Sequence, residues 1–149
     1  MSEALDESAL RPGERFARVV TFDADSIRTF ARLSGDHNPL HHDVVAASAG
    51  PFGRLIACGP HVTSLMMGLD ASYFARAGEA LGLGFEFRFV KAVTEGTTLT
   101  LEWTILQRTP KASLRGDIVA VRGRAYDAAG AVYVEATGRN LVRARKEQA

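Results

Sequence analysis

The feature that most constrains the fold of this chain is one helical pattern that carries large and small residues on all its sides. It opens at Gly59-Pro60, where proline is tolerated because the first amide hydrogens of a helix have no partner within the helix. Large side chains then recur every three or four residues, at Val62, Leu65, Met66, Leu69 and Tyr73. A helix of this kind is enclosed by other elements rather than laid on a surface. We therefore predict a long central helix that the rest of the chain surrounds.

The sequence after this helix is almost all strand by its pattern. Apolar and polar residues alternate over residues 84–90 and 98–106, and two further strands are predicted over residues 117–126 and 132–142. Turn signals lie at Glu95-Gly96, at Thr109-Pro110 and at residues 127–130, which predicts a meander of four antiparallel strands. With an earlier strand over residues 16–22, these segments predict an α+β arrangement, in which an antiparallel sheet packs its apolar face on one helix.

Two shorter helices are predicted between the first strand and the central helix. The first is capped by Asp23 or Asp25 and ends at Gly35, because glycine accepts a positive φ at no steric cost. Its predicted apolar side consists of Ile27, Phe30, Ala31 and Leu33. The second helix is brief, over residues 44–49, and a turn follows it.

The loop between these two helices holds most of the chemically useful side chains. Residues 35–42 contain one carboxylate, one primary amide and three imidazoles, and Pro39 keeps a helix from running through them. Asp36 and His41 can therefore bend toward a common point and form a candidate acid and base pair. The alternative is that Asp36 and Asn38 only cap a turn and that His41 is an ordinary, partly buried imidazole.

A family resemblance favours the first interpretation. The residues that carry it are Phe30, Ser34-Gly35-Asp36, Asn38-Pro39-Leu40-His41 and Ala47, which resemble the hydratase 2 signature of the MaoC-like dehydratases, the (R)-specific enoyl-CoA hydratases. The resemblance continues at Gly59 and Ser64 and at residues 87–91, although Ala92 stands where a proline is usual. It implies a hot-dog fold, in which an antiparallel β-sheet wraps around a long central α-helix.

The resemblance also implies a reaction. It predicts a hydro-lyase that reversibly adds water to a trans-2-enoyl-CoA thioester to give the (R)-3-hydroxyacyl-CoA, with no cofactor beyond the coenzyme A of the substrate. Asp36 and His41 would activate the water, and the Gly59 N–H would stabilise the enolate oxygen, as the start of a helix favours negative charge. Asn38 is expected to orient the loop or the water, and Ser64 to hydrogen-bond near the site. Which of Asp36 and His41 is the base stays open, because one water can contact both.

The same residues are compatible with three other functions. A thioesterase on the same architecture would use one carboxylate and a helix start to activate water at the carbonyl, and a non-catalytic acyl-thioester-binding protein would use the loop only for shape. The third is a metal site made from Asp36, His37, His41, His42 and Asp43. We expect no metal there, because the proline forbids the helix that would align two of the imidazoles and no cysteine or Glu-linked motif completes a set.

Length and composition indicate one domain. The 149 residues can form a single core, which we place at residues 14–143, between a flexible N-terminal tail over residues 1–13 and a charged C-terminal tail over residues 144–149. By analogy with other hot-dog domains, we expect a homodimer, or a higher oligomer of dimers, with the active site between subunits.

The charge and hydropathy patterns argue against two classes of partner. The formal net charge is +1 and the basic residues are scattered, so we expect no nucleic-acid partner. No apolar run approaches the ~20 residues of a membrane span and no signal peptide is visible, so we expect a cytoplasmic protein without a membrane partner.

The single cysteine, Cys58, has apolar neighbours and should be buried and inert. We place His61 at the helix surface or the edge of the core, without a role.

Overall fold

The structure, a computed structural model, describes residues 7–145 as one five-stranded sheet and three α-helices. The strands are β1 (Arg15–Thr21), β2 (Glu79–Phe89), β3 (Thr98–Lys111), β4 (Gly116–Tyr126) and β5 (Val132–Arg143), and the helices are α1 (Ala24–Ser34), α2 (Val44–Ala49) and α3 (Gly59–Ala77). Short 3-10 turns lie at Glu7–Leu10, Pro39–His41 and Ala112–Leu114.

The long helix α3 packs one stripe of its surface on the sheet. Val62, Met66 and Phe74 are buried and lie four or eight residues apart, which places them on one side of the helix. The indole N–H of Trp103, in β3, donates to the Met66 carbonyl at 2.8 Å, so a buried donor is paired where helix and sheet meet. The opposite side of α3 is exposed in the single chain, at Ser64 and Gly68 among others.

The order of the strands differs from the predicted meander. The five strands are all antiparallel in the order β1-β3-β4-β5-β2, so β2 pairs with β5 at one edge instead of with β3. The prediction of a four-strand meander was therefore wrong for β2. Residues 90–97 carry the chain from β2, at one edge of the sheet, to β3, next to the opposite edge, instead of forming a hairpin. Alternation identifies a strand, but it does not identify the neighbour of that strand.

Thr109-Pro110 was predicted as a turn and is instead part of a strand. Pro110 pairs with Asp117 inside the β3–β4 ladder, near the end of β3, where the proline interrupts few ladder hydrogen bonds. The chain reverses at Ala112–Leu114, and Arg115 then adopts a left-handed φ of 53°.

One residue of the predicted apolar side of α1 points to solvent. Leu33 is 81% exposed, whereas Ile27 and Ala31 are fully buried. Leu33 lies two positions after Ala31, which is about 200° around the helix axis. The buried side of α1 is therefore narrower than predicted.

The folded region begins earlier than the predicted boundary at residue 14. Leu10 is buried in the core, the Ala9 carbonyl accepts a hydrogen bond from the Tyr73 hydroxyl at 2.8 Å, and the Gly13 N–H donates to the Ile105 carbonyl at 2.7 Å. Residues 7–13 are therefore packed on the domain and are not part of a tail. Residues 1–6 and 146–149 of the two predicted tails lie outside the described residues.

Two glycines on the inner face of the sheet make room for aromatic rings. A Cβ on Gly123 would lie 2.7 Å from the Trp103 ring, and a Cβ on Gly138 would lie 2.6 Å from the Phe85 ring. The sheet can therefore curve closely around α3. An antiparallel sheet that wraps one long helix confirms the predicted α+β hot-dog fold.

Candidate active site

The loop after α1 leaves the helix through a defined C-terminal cap. Gly35 adopts a left-handed φ of 76°, its N–H donates to the Arg32 carbonyl at 3.1 Å, and the Asp36 N–H donates to the Ala31 carbonyl at 2.9 Å. Asp36 then accepts a hydrogen bond from the Asn38 N–H on Oδ1, at 3.0 Å. The backbone and the side chain of Asp36 are both fixed by local contacts, and Oδ2 is left available for a contact outside this turn.

Asn38 positions the next turn through its side-chain oxygen. Its Oδ1 accepts the Leu40 N–H at 3.1 Å, so Asn38 caps the 3-10 turn that carries His41. This contact agrees with the predicted loop-orienting role, and it is also the cap that the simpler interpretation of the loop expected.

His41 is buried and is held by the segment that enters α3. Its Nδ1 lies 2.7 Å from the Ile56 carbonyl oxygen, and the Ile56 N–H donates to the Leu40 carbonyl at 3.1 Å. A carbonyl oxygen can only accept, so the proton of the neutral ring resides on Nδ1. Nε2 therefore carries the lone pair and is free to take up a proton.

The structure brings the two predicted proton carriers together. His41 Nε2 lies 3.2 Å from Asp36 Oδ2, and the Asp36 side chain is 34% exposed against 7% for His41. Both facing atoms are acceptors when the imidazole is neutral and the carboxylate ionised, so the contact needs either a proton shared between them or a water beside them that donates to both. The pair can therefore contact one water molecule at the solvent side of the buried imidazole.

The other polar residues of the loop have structural roles. His42 Nε2 contacts the Asp36 carbonyl oxygen at 2.6 Å, and Asp43 caps α2 by accepting the Val45 and Ala46 N–H groups. His37 is exposed. Between residues 7 and 145, no group of three His, Cys, Asp or Glu side chains is placed to hold a metal ion.

Gly59 is the first residue of α3 and follows Ile56 by three positions. No acceptor in the described part of the chain contacts its N–H, as expected for the first amide of a helix. A Cβ at this position would lie 2.8 Å from Cζ of Phe89, so glycine lets that ring approach the start of the helix. The hydrogen bonds of Ile56 therefore join the Asp36–His41 pair to the segment that leads directly into this amide.

Phe89 is a residue near the site that sequence reasoning did not single out. The alternation over residues 84–90 places Phe89 on the same predicted buried face as Phe85 and Phe87, yet its side chain is 56% exposed. The signal that could have identified it is its place in the family-like segment of residues 87–91.

Ser64 is not brought to the Asp36–His41 pair by any contact within the chain. It is exposed on the open side of α3, and its hydroxyl forms no hydrogen bond with another residue between 7 and 145.

His61 lies in the core, contrary to the prediction of a surface or edge position. It is 5% exposed, stacks on Phe30 with ring centroids 4.8 Å apart and meets the edge of Phe22 at 5.0 Å. Its Nδ1 has no hydrogen-bond partner within the described residues. Burial lowers the pKa of the imidazole, so His61 is neutral at neutral pH.

A second buried polar pair lies further along α3. Asp70 is 1% exposed, and its Oδ1 accepts a hydrogen bond from Nδ2 of Asn140, in β5, at 2.9 Å. Burial raises the pKa of Asp70 to about 7, with a smaller opposing effect from the Asn140 hydrogen bond. Sequence reasoning missed this pair, although a carboxylate four residues after Met66 and four before Phe74 stands on the buried stripe.

The burial of Cys58 and the character of the helices bear on two of the sequence predictions. Cys58 is 1% exposed among apolar neighbours, so its predicted burial is confirmed. None of the helices between residues 7 and 145 has the length and apolar character to cross a membrane.

Known proteins resemble this chain in sequence and in structure. It is 30% identical over 129 residues to an (R)-specific enoyl-CoA hydratase from Aeromonas caviae, covering 81% of this chain and 96% of the relative. It is also 30% identical over 135 residues to a UPF0336 protein from Streptomyces avermitilis, covering 83% and 85% of the two chains. The (R)-hydratase PhaJ1 from Pseudomonas aeruginosa superposes with a TM-score of 0.82 at 25% identity, covering 95% of this chain and 90% of that one.

The match to a protein family covers the first strand, the loop and α3. Residues 8–124 match the MaoC-like domain, which is most of the 149-residue chain. The chain therefore belongs to the MaoC-like domain family.

Proposed function

We propose that this chain is an enoyl-CoA hydratase, which reversibly adds water to a trans-2-enoyl-CoA thioester and forms the (R)-3-hydroxyacyl-CoA. The observation that carries the proposal is the 3.2 Å approach of His41 Nε2 to Asp36 Oδ2, with the opposite ring nitrogen fixed on the Ile56 carbonyl. The similarity to (R)-specific hydratases supports the choice of reaction and of product configuration.

The first step is the attack of water on C3 of the enoyl group. The water binds beside Asp36 Oδ2 and His41 Nε2, within hydrogen-bond distance of both, and the pair accepts one of its protons as the water oxygen bonds to C3. The electrons of the C2–C3 double bond move toward C1, and negative charge develops on the thioester oxygen. Because Nδ1 of His41 keeps its proton on the Ile56 carbonyl, the proton from water goes to Nε2 or to the carboxylate.

The enolate oxygen is stabilised at the start of α3. The Gly59 N–H is free of partners within the described chain and lies at the positive end of a helix of 19 residues. The absence of a side chain allows a thioester oxygen to approach the amide closely.

The second step returns the proton. The pair donates it to C2 as the carbonyl re-forms, which completes the addition of one water without any redox change. The reaction therefore requires no cofactor other than the coenzyme A carried by the substrate. The same groups in reverse order dehydrate the (R)-3-hydroxyacyl thioester.

We also propose that the chain works as a homodimer, or as a higher oligomer of dimers, with the active site between subunits. β2 is an edge strand of the sheet, and it exposes Leu81 at 57%. An unpaired edge with an exposed apolar side chain is suited to pairing with a second copy.

The experiment that tests the proposed function follows crotonyl-CoA in three parallel assays with the purified chain. Loss of the enoyl thioester measures hydration, release of free thiol measures thioester hydrolysis, and calorimetry measures binding alone. We expect hydration with the thioester intact. Thiol release without hydration would instead indicate a thioesterase, and binding without either reaction a non-catalytic acyl-thioester-binding protein.

A further inference from the structure

The buried pair Asp70–Asn140 lies in a groove that the proposed mechanism does not use. The groove runs between α3 and β2, with a volume of about 800 Å³. Its walls are mainly small or apolar, from residues such as Met67, Gly68, Ala71, Leu83 and Phe85. Asp70 and Asn140 are the buried polar side chains of this lining.

One end of the groove lies beside the proposed oxyanion site. Thr63, which lines the groove, lies about one helical turn after Gly59, and Phe87 lines it two positions before the Phe89 ring that contacts Gly59. Asp70 lies about three turns beyond Gly59, which is about 16 Å along the helix axis. A chain that leaves the thioester at Gly59 can therefore follow α3 to Asp70.

The pair leaves two oxygen atoms without partners. Asn140 Nδ2 donates to Asp70 Oδ1, but no residue between 7 and 145 donates to Asp70 Oδ2 or to Asn140 Oδ1, and neither oxygen is sealed from the groove. Gly82 lies beside the pair and makes room for the Phe85 ring of the groove, since a Cβ there would lie 2.9 Å from that ring and 3.8 Å from Asn140 Oδ1. A β-bulge follows Gly82. Polar oxygens inside an apolar wall are costly unless a donor meets them.

We propose that Asp70 and Asn140 bind a hydroxyl group carried by the acyl chain of the substrate, near the far end of this groove. The inference rests on the proposed function, because it places the thioester at Gly59. It narrows the substrate class to hydroxylated medium-chain enoyl thioesters.

The chemistry of the two open oxygens favours a hydroxyl over other polar groups. Asn140 Oδ1 always accepts, and Asp70 Oδ2 accepts when the carboxyl is ionised, so a ligand that donates finds a partner in either state. An ether or a keto group would find a donor only on the protonated carboxyl. A carboxylate would be repelled by an ionised Asp70. Burial already disfavours the charged form of Asp70, so a full cation has less to gain here than a neutral donor. A hydroxyl can donate to one oxygen and, when the carboxyl is protonated, accept from the other.

Binding of two matched saturated thioesters tests the inference without requiring catalysis. About twelve carbons span the 16 Å at a little over 1 Å per bond, as in an extended peptide. The probes are therefore dodecanoyl-CoA and 12-hydroxydodecanoyl-CoA, measured by calorimetry with the full chain. We expect the hydroxylated probe to bind about 10- to 100-fold more tightly, because dodecanoyl-CoA would leave the open oxygens of Asp70 and Asn140 without a donor.

The double variant Asp70→Leu/Asn140→Leu should reverse this preference, so that dodecanoyl-CoA binds more tightly than its hydroxylated analogue. If that variant does not fold, the comparison of the two probes on the native chain still decides the question. Equal or weaker binding of 12-hydroxydodecanoyl-CoA by the native chain would overturn the inference. Failure of both probes to bind would also overturn it, and would indicate that side chains of a second copy fill the groove. Crotonyl-CoA hydration by the native chain is measured in parallel, so failure of the proposed reaction is seen separately.

Discussion

Two polar pairs lie at the two ends of one path along α3, and they are held in different ways. Asp36 and His41 each have a second contact, to the Asn38 N–H and to the Ile56 carbonyl, that fixes the direction of the facing atoms. Among residues 7–145, the side chains of Asp70 and Asn140 form a hydrogen bond only with each other, within an apolar wall. The difference teaches that the first pair is oriented for proton transfer, whereas the second is suited to recognition, since its open oxygens lack only a donor.

The largest expected effect comes from removing either proton carrier. Asp36→Asn and His41→Ala should each fold normally and lose crotonyl-CoA hydration by ~10²–10⁴-fold, because each removes a group that transfers a proton in the transition state. The measurement is kcat/KM, with circular dichroism to check folding. Asp43→Asn is the matched control, since asparagine also caps a helix and the Asp43 side chain accepts hydrogen bonds from the first amides of α2. Full activity in either site variant would remove the first pair from the mechanism.

The next effect separates the thioester site from packing at the start of α3. Gly59→Ala keeps the backbone N–H but adds a Cβ where the thioester oxygen must approach, so kcat/KM should fall toward the ~10²-fold loss that follows when an oxyanion donor is removed. The added Cβ would also meet Cζ of Phe89, which lies 2.8 Å away at the end of an exposed side chain. The double variant Gly59→Ala/Phe89→Ala removes this clash. If the double variant regained full activity, the glycine would serve only the packing of the ring.

A smaller effect, on stability, should appear at the second pair. Burial raises the pKa of Asp70 to about 7 from 3.8, so the native state binds more protons than the unfolded state between these two values. The free energy of unfolding should therefore fall as pH rises from about 4 to about 7, and the loss should be complete above that window. Asp70→Asn removes the titrating group and keeps the shape.

Urea unfolding of the native chain and of Asp70→Asn across this range checks the prediction. The free energy of unfolding of the native chain should fall as pH rises, while that of the variant should not lose this contribution. The stability difference between the two proteins should therefore shift in favour of the variant between pH 4 and pH 7. Parallel curves for the two proteins would show that Asp70 is not kept protonated by its surroundings.

The smallest expected effect is at Asn38, which positions His41 through the turn. Asn38→Ala should remove the cap of the Pro39–His41 turn and lower kcat/KM a few-fold, because the cap contributes about 1 kcal/mol to the order of that turn. Asn38→Asp restores a capping oxygen and should restore the activity. If Asn38→Asp were as impaired as Asn38→Ala, the amide itself would contact the reacting water.

The sequence allowed good prediction of elements that depend on local signals. Asp23 caps α1 and Gly35 ends it with a positive φ, α2 spans the predicted residues 44–49, and α3 begins at the predicted Gly59-Pro60. Features set by distant contacts were predicted poorly. The partner strand of β2 and the burial of His61 depend on how the chain crosses the sheet, which no local pattern encodes.

The candidate site divides in the same way. Asp36 and His41 are five residues apart with a proline between them, so their approach could be inferred from the chain itself. The Ile56 carbonyl that fixes His41 could not, because any backbone carbonyl can accept and only the fold selects one. The Asp70–Asn140 pair joins α3 to the last strand, so neither residue alone indicated a partner.

The central claim is that Asp36 and His41 activate one water for addition to a thioester held at Gly59. The most direct measurement is chiral analysis of the product that the native chain and Asp36→Asn form from crotonyl-CoA. We expect (R)-3-hydroxybutyryl-CoA from the native chain and almost none from the variant. No hydroxyacyl product from the native chain, or equal product from both proteins, would contradict the claim.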